Sequence, residues 1–294
     1  MRECKNNLSI VGTLKSKNVR RNTKDGVNTI SVDIVVQSKT ADNKINEVRV
    51  GFFAKEGSKL YNSYTTIANE YKTIAADGVG DRVRVTGSIS MNEFVTKDGE
   101  FVSKNRLRGL FCNRLDAGDV TPDACGAVVE CVVLGTIDDV KTGRKKIQAY
   151  TVGYNDTIIE IKDLYIADNL ASQFSRLYTP NSTGNLFIEI NNYAVVQEAQ
   201  TTAQVSGFGS QLSVMPDTVT NYVSEYVVIG GDMPMVAGKF TPQEIDTMKQ
   251  LRNQAINKIM STPAKPKTET STPSGFGGGF GETTPSFADD NIPF

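Results

Sequence analysis

Histidine is absent from this sequence, and only four cysteines occur in its 294 residues. Without histidine, imidazole-based triads, zinc sites with histidine ligands and the usual general base near neutral pH are excluded. Cys4, Cys112, Cys125 and Cys131 form no C-x-x-C pair. Neither a structural zinc site nor a disulfide scaffold is expected, and the four read as reduced, partly buried thiols of a cytoplasmic protein. No apolar run approaches the ~20 residues needed to cross a bilayer. The first residues, Met1-Arg2-Glu3-Cys4-Lys5, lack the apolar stretch of a signal peptide, so no membrane association and no secretion are expected. A P-loop, a nucleophile elbow and metal-ligating motifs are all missing. The glycine-rich run 275–281 has no following lysine and is not a phosphate cradle. The expectation is a non-enzymatic protein with no cofactor and no metal.

What is present is an uneven distribution of charge. Residues 1–115 carry 20 Lys+Arg against 12 Asp+Glu, residues 116–260 carry 10 against 17, and residues 261–294 carry 2 against 4. The net charge of −1 therefore hides a basic first segment and an acidic second one. A basic segment of this kind suits a polyanion, although a domain with surplus surface lysines would look the same.

The first segment alternates. Leu8, Ile10, Gly12 and Leu14 share one parity, Ile30, Val32, Ile34 and Val36 mark a second strand, and Val48, Val50 and Phe52 a third. A polar turn is expected over 22–26 and a helix over about 57–75, with Leu60, Tyr64, Ile67, Ala68 and Tyr71 on one face. Val83, Val85 and Ile89 mark a fourth strand. Thr96-Lys97-Asp98-Gly99 signals a hairpin into a fifth strand near 100–113. Five strands with a helix between the third and fourth is the order of the OB fold, a small Greek-key barrel that binds oligonucleotides or oligosaccharides.

Residues 116–240 repeat the plan less clearly. Gly135-Thr136-Ile137 echoes Gly12-Thr13-Leu14, and strands are expected near 146–153, 157–166, 185–196 and 222–229, with a short helix over 167–178. The polar stretch 198–217 reads as an insertion. Thr241-Pro242-Gln243-Glu244 is a capping box opening a helix over about 241–260, with Ile245, Met248, Leu251, Ala255, Ile256 and Ile259 at helical spacing. Residues 261–294 are rich in Pro, Thr, Ser and Gly and read as a disordered tail. The expected class is all-β with minor helices: an OB-fold domain over 1–115, a second, acidic OB-like domain over 116–240, the helix and the tail.

The last residues, Asp289-Asp290-Asn291-Ile292-Pro293-Phe294, together with Asn7–Leu14, Arg49–Lys55 and Gly80–Gly87, give the chain a resemblance to a known family. It resembles the bacterial and phage single-stranded DNA-binding proteins over residues 1–115 and the tail. It departs from them in having no tryptophan, the residue on which that family usually stacks bases, and in carrying two apparent OB domains where members usually carry one and form tetramers. A phage-encoded variant fits both departures.

Binding a single strand without regard to sequence needs a basic groove and exposed aromatic faces. If Val48, Val50 and Phe52 point inward, Arg49, Phe53 and Lys55 point out, although a β-bulge would exchange Phe52 and Phe53. The resemblance makes Phe53 a base-stacking residue and places Phe94 where the family has a stacking tryptophan; Phe94 also reads as a cap on the barrel. Arg82 and Arg84 point out from the fourth strand. Lys104, Arg106 and Arg108 share a face of the fifth, and Arg20 and Arg21 close the first. Each of these cations also reads as part of a solvated face.

By the resemblance, Asp289, Asp290, Ile292, Pro293 and Phe294 form a docking tip for replication or repair proteins. The implied function is coating and protection of single-stranded DNA in replication, recombination or repair, by a monomer or homodimer in the cytoplasm (a host's, if phage-encoded). Two other readings stay open: a tandem OB adaptor or loader that touches DNA weakly, and an RNA-binding protein, since stacking does not by itself separate RNA from DNA.

Overall fold

A computed structural model describes residues 1–24, 26–40, 43–198 and 218–261. Met1–Thr262 form one compact unit. The first half contains five strands, β1 (Asn6–Lys24), β2 (Val27–Lys39), β3 (Ile45–Lys55), β4 (Arg82–Val95) and β5 (Phe101–Arg114). Helices α1 (Tyr61–Glu70) and α2 (Ile74–Asp77) lie between β3 and β4. Pairings β1–β2, β2–β3, β3–β5, β5–β4 and β4–β1 close a ring in which only β3–β5 is parallel. This is the OB-fold barrel.

The alternation dictates the core. Leu8, Ile10 and Leu14 of β1, Ile30 to Val36 at every second position of β2, and Val48, Val50 and Phe52 of β3 are buried. Gly12 holds its place in that inward row because a Cβ there would lie 2.1 Å from the Gln37 carbonyl oxygen. One helix was expected over 57–75, and two are found. Tyr71 adopts an extended conformation (φ −74°, ψ 132°) that ends α1, and its hydroxyl donates to the Cys112 carbonyl at 2.9 Å. Thr73 then caps α2, and Gly78 ends it at φ 75°. Tyr64 and Ile67 plug the end of the barrel, Tyr64 meeting Phe52 edge to face at 5.2 Å. The expected turn over 22–26 is shorter, because β1 continues to Lys24 and β2 starts at Val27.

A second ring repeats this order. Its strands are β6 (Ala124–Asp138), β7 (Lys145–Val152), β8 (Ile158–Glu160), β9 (Leu164–Ile166), β10 (Ser182–Glu198) and β11 (Thr218–Gly231), with α3 (Ala171–Leu177) between β9 and β10. It closes as β6–β7–β9–β11–β10–β6, and its one parallel pair, β11–β9, again joins the third and last positions. The strand expected over 157–166 is split into β8 and β9. Asp163, at φ 49°, breaks it, while Ile161 and Leu164 stay buried on either side. Most of the stretch 198–217 lies outside the described residues, as does the tail from 262 onward with Asp289, Asp290, Ile292, Pro293 and Phe294.

The barrels share one 11-stranded sheet, joined by antiparallel pairing of β1 with β6. β1 has a bulge at Lys15 and β6 one at Leu134. Leu8 stands as far before the first bulge as Ala127 does before the second, and Leu8 and Ala127 are cross-strand partners. The join is thus self-complementary about a local two-fold. Counted from the bulges, Gly12 and Gly135 do not occupy matching places, so the repeated Gly-Thr is not in structural register.

Helix α4 (Pro242–Ser261) lies against the outside of the second barrel. Its capping box is made: the Thr241 amide donates to Glu244 Oε2 at 2.8 Å, and the Glu244 amide to Thr241 Oγ1 at 3.3 Å. Ile245 and Met248 pack with Phe240 onto Val132, Val152 and Ile158. The helical stripe expected from sequence continues differently, because Ala255 is exposed and the buried position after Met248 belongs to Arg252.

Candidate nucleic-acid interface

The outer face of β2, β3, β4 and β5 collects most of the expected cations and both phenylalanines. Phe52 is in the core and Phe53 is half-buried on the outer face, opposite Ser31 of β2. Two rows along is Gly51, opposite Asp33. Arg20 Nη2 reaches Asp33 Oδ2 at 3.1 Å. From the other side, Arg106 lies over Gly51: a Cβ on that glycine would be 2.9 Å from Arg106 Nη2 and 3.1 Å from Asp33 Oδ1. The bare backbone at Gly51 leaves room for the Arg106 guanidinium over the strand, two residues from Phe53, while Arg20 holds the Asp33 carboxylate opposite.

The same face runs onto the β4–β5 hairpin. Arg108, Arg106 and Lys104 stand opposite Ser88, Ser90 and Asn92, a row of small polar residues that leaves the long cations standing proud. Phe94 follows, 38% exposed, opposite Val102. The Thr96–Gly99 turn closes the hairpin with Gly99 at φ 83°. Arg49, in the middle of β3, and Lys55, its last residue, are both exposed. Two residues before Arg49, Lys15 Nζ grips both Glu47 carboxylate oxygens at 2.5 and 2.6 Å. Burial would raise the Glu47 carboxyl, but Lys15 and the Gln37 amide outweigh it and hold it below the usual carboxylate range.

Three expected residues are directed elsewhere. Arg21 turns away from Arg20 and donates to Asn69 Oδ1 of α1 at 2.8 Å. Arg82 pairs with Asp123 at 2.8 Å and donates to the Thr121 carbonyl at the same distance. Arg84 donates to Thr121 Oγ1 at 3.0 Å. Both fasten the segment that links the barrels. Strand parity places them on the outside, as alternation requires, but parity says nothing about which chain segment passes over them.

The second barrel has a different outer face. Val132, Tyr150, Val152 and Ile158, which point outward from β6, β7 and β8, are covered by α4, Phe240 and the first residues of the chain. The uncovered end centres on Tyr165 of β9, with Arg144 over its ring at 4.8 Å and Lys146 at 5.8 Å. Those cations are paired: Arg144 with Glu225 at 2.6 Å, Lys146 with Asp163 at 2.6 Å. The Tyr165 hydroxyl donates to Asp139 at 3.0 Å.

Reading the sequence missed Arg252 and Glu130. Arg252 falls four residues after Met248 and seven after Ile245, on the apolar stripe of α4, and an arginine there signals a buried acidic partner. Its partners are Glu93 and Glu160. Buried Glu130 receives Arg2, whose guanidinium also lies 4.5 Å from the Phe240 ring.

Burial pushes the thiols of Cys112 and Cys125 up to about 12, and those of Cys4 and Cys131 upward as well, so all four stay protonated and poorly nucleophilic near neutral pH. Among the described residues no group of three or more acidic or thiol side chains is placed to hold a metal ion, and no helix is long and apolar enough to cross a membrane.

Several solved structures are similar to this chain. The single-stranded DNA binding protein from Thermus aquaticus aligns at 12% identity and a TM-score of 0.48, over 83% of this chain and 99% of that one. A deletion mutant of that protein aligns at 12% identity and 0.47, over 83% and 100%. The mitochondrial single-stranded DNA binding protein Rim1 from S. cerevisiae aligns at 17% identity and 0.27, over 38% and 96%. No curated protein matches the chain in sequence. The YorF family model matches residues 5–262, both barrels and α4 together, and the chain belongs to the YorF family.

Proposed function

We propose that this protein binds single-stranded DNA on the outer face of its first barrel. The observation that carries the reading is the row of Arg106 (over Gly51), Arg108 and Lys104 along one outer face, with Arg20 on the Asp33 opposite Gly51 and with Phe53 and Phe94 on the same face. Cations in a row neutralise successive phosphates, and a phenylalanine at each end offers a π-face to any base. Neither element reads base edges, so binding is tolerant of sequence. Residues 1–115 act as the binding domain, and residues 116–240 serve as a second OB domain that supports it. No catalytic step is assigned.

The wider role is protection of single strands in replication, recombination or repair, with the C-terminal tip (Asp289, Asp290, Ile292, Pro293, Phe294) recruiting partner enzymes. That tip offers an aromatic ring, an apolar pair and two carboxylates, which fit an apolar pocket with a basic rim.

The test is fluorescence anisotropy of a labelled thymidine oligomer titrated with the full chain at two salt concentrations, with duplex DNA and matched RNA as competitors. Tight, salt-sensitive binding displaced by neither competitor is the expected result. Binding that duplex displaces equally well overturns the reading, and stronger displacement by RNA transfers it to RNA.

A further inference from the structure

The β4–β5 hairpin extends past the barrel, and its two faces have different neighbours. One face carries Asn92, Phe94, Lys104 and Arg106, the proposed DNA track. The opposite face carries Met91, Glu93, Ser103 and Asn105, and it is fastened to the second barrel and α4. Asn105 exchanges two hydrogen bonds with the Lys162 backbone, at 2.6 and 2.8 Å. The Glu160 amide donates to Met91 Sδ at 3.2 Å. Ser103 donates to Glu93 Oε1 at 2.6 Å.

At the centre is Arg252, whose side chain is 1% exposed. Its guanidinium fork meets Glu93 through Nη1 at 2.8 Å and Nη2 at 2.5 Å. It also meets Glu160 Oε2 through Nε at 3.3 Å and Nη2 at 3.2 Å. Lys162 Nζ closes the cluster on the other Glu160 oxygen at 2.5 Å. A planar fork held on two carboxylates from different barrels fixes direction as well as distance. Phe94 is the next residue after Glu93 and points to the other side of the strand, so the cluster sets where its ring stands.

We propose that Arg252 is a positioning residue for nucleic-acid binding: α4 and the second barrel hold the β4–β5 hairpin at a fixed angle through the Glu93–Arg252–Glu160 cluster, so that Phe94 and Lys104 continue the track begun at Phe53. This gives the second barrel a mechanical part in binding, without a strand bound to it, and it rests on the reading of the first barrel's face given above.

Two measurements on the full chain test it. The first does not involve DNA: hydrogen exchange of the amides between Phe94 and Lys104, in wild type and in Arg252→Leu. Faster exchange confined to that hairpin, with the Val32 and Val50 amides still protected, is expected. Unchanged hairpin exchange overturns the proposal.

The second is a cycle of thymidine-oligomer affinities for wild type, Phe94→Ala, Arg252→Leu and the double variant. Arg252→Leu is expected to weaken binding about as much as Phe94→Ala, roughly tenfold for one lost stacked base, and to add nothing in the Phe94→Ala background. Full additivity, or wild-type affinity in a folded Arg252→Leu protein, overturns the positioning role. Glu93→Gln, which keeps the size of the side chain, repeats both measurements from the other partner should Arg252→Leu fail to fold. A wild-type chain that ignores the oligomer sinks the DNA reading and, with it, the positioning role in binding, while the exchange result reports only the mechanical tie to the hairpin.

Discussion

The two barrels place the same strands in the same order, yet their outer faces are resolved differently. On the first, Arg20 holds Asp33, Arg106 lies over Gly51 opposite it, and Arg108 and Lys104 stand across from Ser88 and Asn92. On the second, Arg144 meets Glu225 and Asp168, Lys146 meets Asp163, and Val132, Val152 and Ile158 lie under α4, Phe240 and the first residues of the chain. Each face also carries an aromatic residue, Phe53 on one and Tyr165 on the other. Topology therefore supplies the platform, and the ratio of acids to bases across a few cross-strand positions decides whether it attracts a polyanion. The contrast matches the charge of the two segments, but it is local pairing that brings it about.

The largest expected effect concerns the tie between the barrels. Arg252→Leu takes the arginine from buried Glu93 and leaves Glu160 with Lys162 alone, and breaking a buried pair in this way costs about 3–5 kcal/mol. Burial would raise the Glu93 carboxyl, but the hydrogen bonds and charge of Arg252, with help from Ser103, bring it below the ordinary range. A depressed carboxyl stabilises the fold above its unfolded pKa, about 4.3, and loses that contribution as the pH falls through its folded value. Thermal melts of wild type and variant should differ most at neutral pH and converge under acid; a gap independent of pH would refute the linkage.

Next is the contrast between aromatics. Phe53→Ala with Phe94→Ala should weaken oligomer binding by at least about 30-fold, given ~1–3 kcal/mol per stacked base. Tyr165→Ala should leave it within about twofold on the scale set by those stacked bases. Equal losses in titrations of the two variants would erase the distinction between the faces.

Charge should follow the same division. Arg106→Gln with Arg108→Gln should flatten the slope of log affinity against log salt by about 1.4, two phosphates at ~0.7 each, whereas Lys146→Gln should leave the slope unchanged. Conversely, Asp163→Asn with Glu225→Gln and Asp168→Asn removes the paired carboxylates of Lys146 and Arg144 and should raise affinity a few-fold; no gain would mean the second face fails for reasons of shape. The smallest effect is expected from Gly51→Ala, whose Cβ lifts Arg106 off the strand. Affinity should fall by less than about tenfold, within one stacking contribution, and the melting temperature should hold because the displaced atoms are the end of a flexible side chain.

The barrels differ also in how far alternation reveals them. The rows Leu8–Leu14, Ile30–Val36, Val48–Phe52 and Val83–Ile89 each alternate because every strand has one face in the core, so the inward row and the outward position of Phe53 follow directly. The strand over 157–166 does not, since the left-handed turn at Asp163 falls inside an apolar run that shows no turn signal beyond one Lys-Asp pair. The fate of Arg82 and Arg84 depended on Thr121 and Asp123 passing over them, and the β1–β6 join on a register between segments more than 100 residues apart. Such information lies in the meeting of surfaces and leaves no local pattern. Arg252 is the exception, because a cation on an apolar helical stripe is visible in the sequence.

The self-complementary join of β1 and β6 has one more consequence. When two identical chains pair through such an edge, dilution separates them and every substitution is made twice. Here one chain supplies both edges, and the short segment between β5 and β6 keeps them at an effective concentration of order mM. The pair therefore persists at any protein concentration, and its halves are free to change independently. One side can gather cations while the other sheds them, a division of labour denied to a symmetric dimer.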